Sequence, residues 1–234
     1  MKIAVAVFPG SNCERDSINV LRNNLKLDTE LIWHKRSDLD SYDAIILPGG
    51  FTYGDYLRGG IIAAFSPIMK QVKKMAENGK PVLGICNGFQ TLVEAGLLPG
   101  ALMNNISLKF ICKWTKLKVE NNRTAFTNIC VKNSILNMPI AHQQGRFFIK
   151  DKYLNHLIDN NQIVLTYVNN KGKISNDINP NGSVMNIAGI SNEEGNVMGL
   201  MPHPERASES ALSPLRSADG LLIFKSMLNY IKKA

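Results

Sequence analysis

The sequence predicts an α/β protein built as a single three-layer domain, in which helices cover both faces of a mostly parallel central sheet. Short apolar runs rich in β-branched residues recur at Ile3–Phe8, Thr29–Trp33, Ala44–Leu47 and Pro81–Ile85, each followed by turn residues. Buried parallel strands read in this way. Amphipathic stretches of helical period alternate with them through the first half of the chain. A length of 234 residues, 44% hydrophobic and 20% charged, suits one large core and is short for two. One domain is therefore expected over residues 1–234.

The elements follow in order. After the first strand, a helix is expected from about Asp16 to Leu25, with Ile18, Leu21 and Leu25 on one face. Ser66 and Pro67 stand as cap and first residue of another helix that ends at Gly79. Its apolar face is Ile68, Met69, Val72 and Met75, opposite Lys70, Lys73 and Lys74. From about Asn104 to Asn192 the pattern turns to shorter strands and polar loops, with Phe126–Val131 and Ile163–Val168 the clearest strand candidates. Asn186–Ser191 and Val197–Met201 flank a turn at residues 192–196 and read as a hairpin. Asp219 is placed to cap a last helix whose stripe is Leu221, Phe224, Leu228 and Ile231, ending in Lys232 and Lys233 where cations suit the dipole. Ligands in such sheets bind beyond the carboxyl ends of the strands. Three loops meet that rule: Pro9–Asn12, Pro48–Phe51 and the segment around Cys86.

That last segment carries the chemistry. Gly84-Ile85-Cys86-Asn87-Gly88 lies between the apolar run of Pro81–Ile85 and a helix marked by Phe89, Leu92 and Val93 and closed by Gly96. Cys86 thus occupies a strand-to-helix turn, comparable to the serine elbow of Gly-x-Ser-x-Gly hydrolases. Unpaired N–H groups at the start of the helix face the sulfur. A buried cysteine at a strand end is otherwise an ordinary small hydrophobe, and a second signal separates the two readings. Met201-Pro202-His203-Pro204-Glu205 sets an imidazole and a carboxylate two residues apart. Pro204 biases His203 toward extended backbone, where residues i and i+2 point to one side. Glu205 can then hold one ring nitrogen while the other faces the sulfur, the logic of a nucleophile, base and orienter.

Composition narrows the partners. A net charge of +8 invites comparison with nucleic-acid binders, but the lysines are scattered and lack interleaved aromatics. A diffuse positive field suits an acidic partner or anions, and no nucleic acid is expected. No apolar run approaches a membrane span and no signal-peptide core is evident, so a cytoplasmic protein is expected, with no membrane partner. Cysteines at 13, 86, 112 and 130 show no paired metal spacing, and no metal is expected. Gly-x-x-x-x-Gly-Lys-Ser/Thr and Gly-x-Gly-x-x-Gly motifs are both absent.

Pro48-Gly49-Gly50, Gly84–Gln90 and Pro202-His203-Pro204-Glu205 together resemble the class I (triad) glutamine amidotransferases, whose fold is flavodoxin-like. A narrower resemblance runs through Phe8–Cys13, Phe51–Arg58, Gly96–Leu102 and Met201–Ala207, and is to the glutaminase subunits of phosphoribosylformylglycinamidine synthases. The resemblance implies hydrolysis of L-glutamine to glutamate and ammonia, with Cys86, His203 and Glu205 as triad. Ammonia would pass to a separate large synthetase subunit that makes formylglycinamidine ribonucleotide in purine synthesis, and a small third subunit is an open question. It implies no cofactor in this chain, with ATP and Mg on the synthetase. For the oxyanion the donors expected are the N–H of Asn87 and one from the Gly50–Phe51 turn, and Gln90 is a candidate for shaping the glutamine pocket. One stretch departs from the family: Ala141-His142-Gln143-Gln144-Gly145-Arg146 has glutamines where Gly-Glu is usual. The alternatives are a glutaminase serving another acceptor, a cysteine-elbow hydrolase, or an idle docking subunit. In the hydrolases a histidine comes soon after the elbow, whereas none follows Cys86 here until His142. An idle subunit would be expected to have lost triad residues.

Overall fold

In the computed structural model, which describes residues 1–233, the chain opens on β1 (Lys2–Val7) and α1 (Glu14–Asn19). It continues through β2 (Asp28–Trp33), β3 (Ala44–Leu47), the short α2 (Ile61–Ala64) and α3 (Ile68–Glu77). Then β4 (Val82–Ile85) is followed, one residue on, by α4 (Asn87–Glu94). The second half brings β5 (Ala101–Met103), β6 (Ile111–Val119), β7 (Ile135–His142), β8 (Arg146–Phe148) and α5 (Asp151–Asp159). It closes with β9 (Ile163–Val168), β10 (Ile187–Ser191), β11 (Val197–Leu200) and α6 (Leu221–Lys233). Ala234, the last residue of the expected domain, lies outside the described residues.

Nine strands form one sheet in the order β2-β1-β3-β4-β11-β10-β9-β6-β7, and β5 pairs with β8 separately. From β2 to β11 the pairs are parallel. Every residue of β3, β4 and β11 is buried, the signature of a sheet covered on both faces. β4 lies between β3 and β11 with all three running in one direction, so their carboxyl ends meet at one edge. That topology alone brings the loop after β3, the residue after β4 and the loop after β11 together. The antiparallel remainder curls back over this edge: the Pro139 carbonyl of β7 accepts the His203 N–H at 2.8 Å.

Four local expectations need correction. The helix expected over 16–25 is α only through Asn19, and continues as a π-helix over Val20–Asn24 that turns Val20 and Leu21 into the core. At α3, Pro67 takes the cap position and Ser66 offers only its carbonyl, to the Met69 N–H. Phe126–Val131 is no strand but a run of turns. There the Asn128 amide donates to the carbonyls of Thr124, Ala125 and Ser226, an alternative to ladder bonding that asparagine offers readily. Asp219 does not cap α6 with its side chain, because Oδ2 accepts from both the backbone N–H and the side-chain amide of Asn137 at 2.7 and 2.8 Å. The hairpin of β10 and β11 forms as expected. No helix among the described residues is long and apolar enough to cross a membrane.

Candidate active site

Cys86 sits at the end of β4 with φ 50° and ψ −104°, a conformation that costs an L residue on the order of 1–3 kcal/mol and persists where surroundings over-determine it. They do so here. The Cys86 N–H is donated to Leu200 O at 2.8 Å, and its carbonyl accepts the Gln90 N–H at 3.1 Å. Two residues on, a side chain at Gly88 would run into the Leu47 carbonyl, so glycine lets α4 start tight against β3. The sulfur is buried, and 3.7 Å from it the Ala141 carbonyl of β7 accepts.

The loop after β11 supplies the second group. His203 has φ −105° and ψ 91°, the extended backbone that Pro204 enforces. Its Nδ1 lies 2.6 Å from Glu205 Oε1, both side chains being buried. Burial is the strongest single influence on His203 and opposes its charge. The Glu205 carboxylate first, then the nearby sulfurs of Cys86 and Cys13, together outweigh it and hold the imidazole well above its ordinary range. Its Nε2 has no partner among the described residues.

Cys13 is drawn into this network. Its sulfur accepts from Arg206 Nη2 at 3.2 Å and its thiol donates to Asn12 Oδ1 at 3.1 Å. Burial pushes this thiol up, against the pull of His203. Cys13, His203 and Glu205 place potential ligand atoms within 4.8 Å of one another. The Arg206 guanidinium on that sulfur, and the closed pair of His203 and Glu205, make the cluster an ion-pair network that disfavours a cation.

A cavity of about 270 Å³ opens onto Cys86. Gly50 and Phe51 line one side, anchored to the first loop by the Phe51 N–H, donated to Gly10 O at 2.9 Å. The Phe51 N–H is therefore committed, which leaves the Gly50 N–H as the candidate donor of that turn. Gln90 lines the floor and is buried rather than exposed. Its Nε2 donates to Gln144 O at 2.7 Å and its Oε1 accepts from the Asn87 amide, also at 2.7 Å. Asn87 reaches across to the 51–55 loop, accepting from the Thr52 N–H and donating to Asp55. The departure at Gln144 finds a use: Oε1 accepts the Gly59 N–H at 3.0 Å, a bond for which an amide oxygen serves as a carboxylate would.

Sequence reasoning passed over Asp55, which lines the same cavity. Burial, partly offset by the Asn87 hydrogen bond, raises its carboxyl to about 6. Nothing in its Tyr-Gly-Asp setting announced this, since the pocket wall opposite comes from residues 86–90 and 141–144. A larger groove of about 640 Å³ lies along β6 and β9, lined by Lys113, Trp114, Lys116 and Asn169, and includes neither Cys86 nor His203.

Fold and site together are those of the glutamine amidotransferase class. The chain belongs to the CobB/CobQ-like glutamine amidotransferase domain family, whose model matches residues 1–231. Among its relatives is the phosphoribosylformylglycinamidine synthase subunit PurQ of Methanosarcina barkeri, 53% identical over 99% of this chain and 98% of the relative. The subunit of the same name from Aquifex aeolicus is 49% identical over 98% and 100%. Among solved structures, PurLQS from Thermotoga maritima is similar with a TM-score of 0.85 and 46% identity, covering 98% of each chain. A glutamine amidotransferase from the same organism shares the fold alone, at a TM-score of 0.62 and 14% identity over 100% of this chain and 99% of that one.

Proposed function

We propose that this chain is the glutaminase subunit of a phosphoribosylformylglycinamidine synthase, hydrolysing L-glutamine and delivering ammonia to a synthetase subunit that converts formylglycinamide ribonucleotide to its amidine. The observation that carries the reaction is the buried His203–Glu205 pair at 2.6 Å, close enough to the strained Cys86 elbow for the sulfur to act on the ring, with Cys86 itself opening onto the cavity. The acceptor follows from full-length relatives near 50% identity that bear that name.

Cys86 attacks the side-chain carbonyl of glutamine as thiolate, its proton residing on His203. The C–S bond forms and the carbonyl electrons move to oxygen, where the N–H groups of Asn87 and Gly50 receive the charge. His203 then protonates the departing nitrogen, which leaves as ammonia, and the γ-glutamyl thioester remains. A water attacks the thioester with His203 as base, releasing glutamate. Glu205 fixes the ring by Nδ1. Gln90 and Asn87 brace the pocket wall, and the Asp55 carboxylate faces the cavity where the α-ammonium of glutamine requires an anion. The whole of residues 1–234 acts as one amidotransferase domain, in the cytoplasm. ATP and Mg are handled by the synthetase partner, a small third subunit completes the assembly, and this chain brings no cofactor of its own.

Reconstitution with the synthetase subunit tests the reading. Glutamine-dependent amidination of formylglycinamide ribonucleotide is expected, together with stimulation of a poor intrinsic glutaminase and loss of both on Cys86→Ala. High turnover of free glutamine by the isolated chain, unaffected by the synthetase, would count against it.

A further inference from the structure

Two histidines line the site, and the reaction above employs only one. His142 ends β7, is buried and lines the cavity that holds Cys86. Asn105 fixes its tautomer. The side-chain nitrogen of Asn105 donates to the carbonyls of Lys109 and His142, both at 2.9 Å, which sets the orientation of the amide. Its oxygen therefore faces the Gly145 N–H and His142 Nδ1, each at 3.1 Å. An amide oxygen only accepts, so Nδ1 carries the ring hydrogen and Nε2 keeps its lone pair. Burial first, and the charge of His203 second, lower this imidazole to about 4, and the ring stays neutral at physiological pH. Nε2 has no hydrogen-bond partner among the described residues. The ring is held there by close packing, since a side chain at Gly145 would overlap it. An orphaned acceptor this deep invites a ligand that brings the missing donor.

We propose that His142 is a catalytic residue whose Nε2 accepts a hydrogen bond from the carboxamide nitrogen of glutamine and holds that nitrogen while it leaves as ammonia. The inference rests on the glutaminase reading and adds a function to that same site. As the C–S bond forms and the C–N bond breaks, the proton comes from His203 alone. His142 neither gains nor loses one. A neutral ring whose free nitrogen bears no hydrogen cannot turn ammonia into ammonium, so the product stays nucleophilic for transfer. The same lone pair meets an oxygen when glutamate's carboxylate takes the site, which sorts substrate from product.

The full-length chain with its synthetase subunit provides the test. His142→Asn keeps a donor toward Asn105 and deletes the acceptor, and His142→Gln returns an amide oxygen near the Nε2 position. His142→Asn is expected to lower the kcat of glutamate release on the order of 10²-fold, by analogy with loss of one preorganised hydrogen bond, and His142→Gln to recover about tenfold of it. Labelling of Cys86 by a chloroketone analogue of glutamine, whose leaving group is chloride and not a nitrogen, should stay within about threefold of the parent in both. Inhibition by glutamate should strengthen relative to glutamine binding in His142→Asn. Turnover in His142→Asn within about threefold of the parent overturns the proposal. So does labelling that falls in proportion to turnover, which reduces His142 to a packing residue. An unlabelled Cys86 in the parent protein would instead sink the glutaminase reading itself, and this inference with it.

Discussion

Alanine at position 49 tests whether the loops after β3 and β11 hold the imidazole where catalysis needs it. The Gly49 backbone is not left-handed, so an L side chain is tolerated there; space is what is lacking. The new methyl carbon would lie 2.7 Å from His203 Cε1, 3.2 Å from Cys13 Sγ and 3.4 Å from His203 Nδ1. Carbon atoms settle about 3.5–4.0 Å apart, so the ring is short of room by roughly 1 Å. It has few ways to yield, with Nδ1 on Glu205 at 2.6 Å and its backbone N–H on Pro139 O at 2.8 Å. A displacement of that size costs about 10²-fold in rate, or about 2.7 kcal/mol of transition-state stabilisation at 1.36 kcal/mol per tenfold. Overpacking adds about 1–3 kcal/mol of lost stability. Steady-state glutamine hydrolysis by the complex, the rate of Cys86 labelling and thermal unfolding separate the two effects. Gly79→Ala is the control. It meets nothing within 4 Å but stands at φ 73°, so it should cost about 1 kcal/mol of stability and leave turnover alone. A folded Gly49→Ala protein that turns over glutamine within about threefold of the parent would refute the assignment of His203 as acid and base.

Glu205→Gln removes the carboxylate that raises His203 and leaves burial to win, so kcat should fall on the order of 10²- to 10⁴-fold, as for a triad orienter; an unchanged pH–rate profile would argue that Glu205 is only structural. Asp55 has a folded value of about 6 against 3.8 unfolded, so its fold-stabilising protonated form is retained below the lower value and lost as pH rises through the upper one. Asp55→Asn should therefore unfold at a higher temperature than the parent at pH 7–8, the gap closing as pH falls from about 6 toward 4, while KM for glutamine rises; equal melting temperatures at pH 8 would contradict the burial argument. Cys86→Gly relieves the strained φ of 50° that Cys86→Ala retains, and should be the more stable of the two by on the order of 1 kcal/mol, as denaturant titration would show.

Strands β1, β3 and β4 were legible because burial on both faces leaves uninterrupted apolar runs that need no partner to interpret. β6 and β7 were not, for reasons local to their chemistry. β6 reads Ile-Cys-Lys-Trp-Thr-Lys-Leu-Lys-Val, with Lys116 and Lys118 on the face opposite Leu117 and Val119, and only two of its nine residues are buried. β7 contains Pro139, which argues against a strand, yet β7 is the last strand of the sheet, where a missing N–H does no harm. Phe126–Val131 has strand composition, and the hydrogen bonds of Asn128 and Thr127 fold it into turns. The site divides along the same line. Cys86, His203 and Glu205 announce themselves because two contiguous motifs carry their geometry, proline included. Asp55, Cys13 and the free nitrogen of His142 depend on loops that meet only in the folded chain. The commitment of the Phe51 N–H to Gly10 is of that kind too, since it follows from the Ser11–Gly50 bridge.

The opposed behaviour of the two buried histidines follows from one substitution of neighbour. Each is withdrawn from water, which by itself disfavours the charged ring in both. At His203 the group on Nδ1 is a carboxylate, and its charge together with the Cys86 sulfur overcomes burial. At His142 the group on Nδ1 is the Asn105 amide, which offers geometry without charge, and the adjacent imidazolium adds to the cost of a second cation. Burial first, and the charged ring second, thus keep its neighbour neutral, and the pair cannot exchange roles while Glu205 and Asn105 stay where they are. Titratable groups pushed apart by their surroundings are how one site holds an acid and a proton-free acceptor at the same pH. Around Cys86 that division gives the leaving nitrogen a proton from one side and a lone pair to rest against on the other, which is what release of ammonia, rather than ammonium, demands.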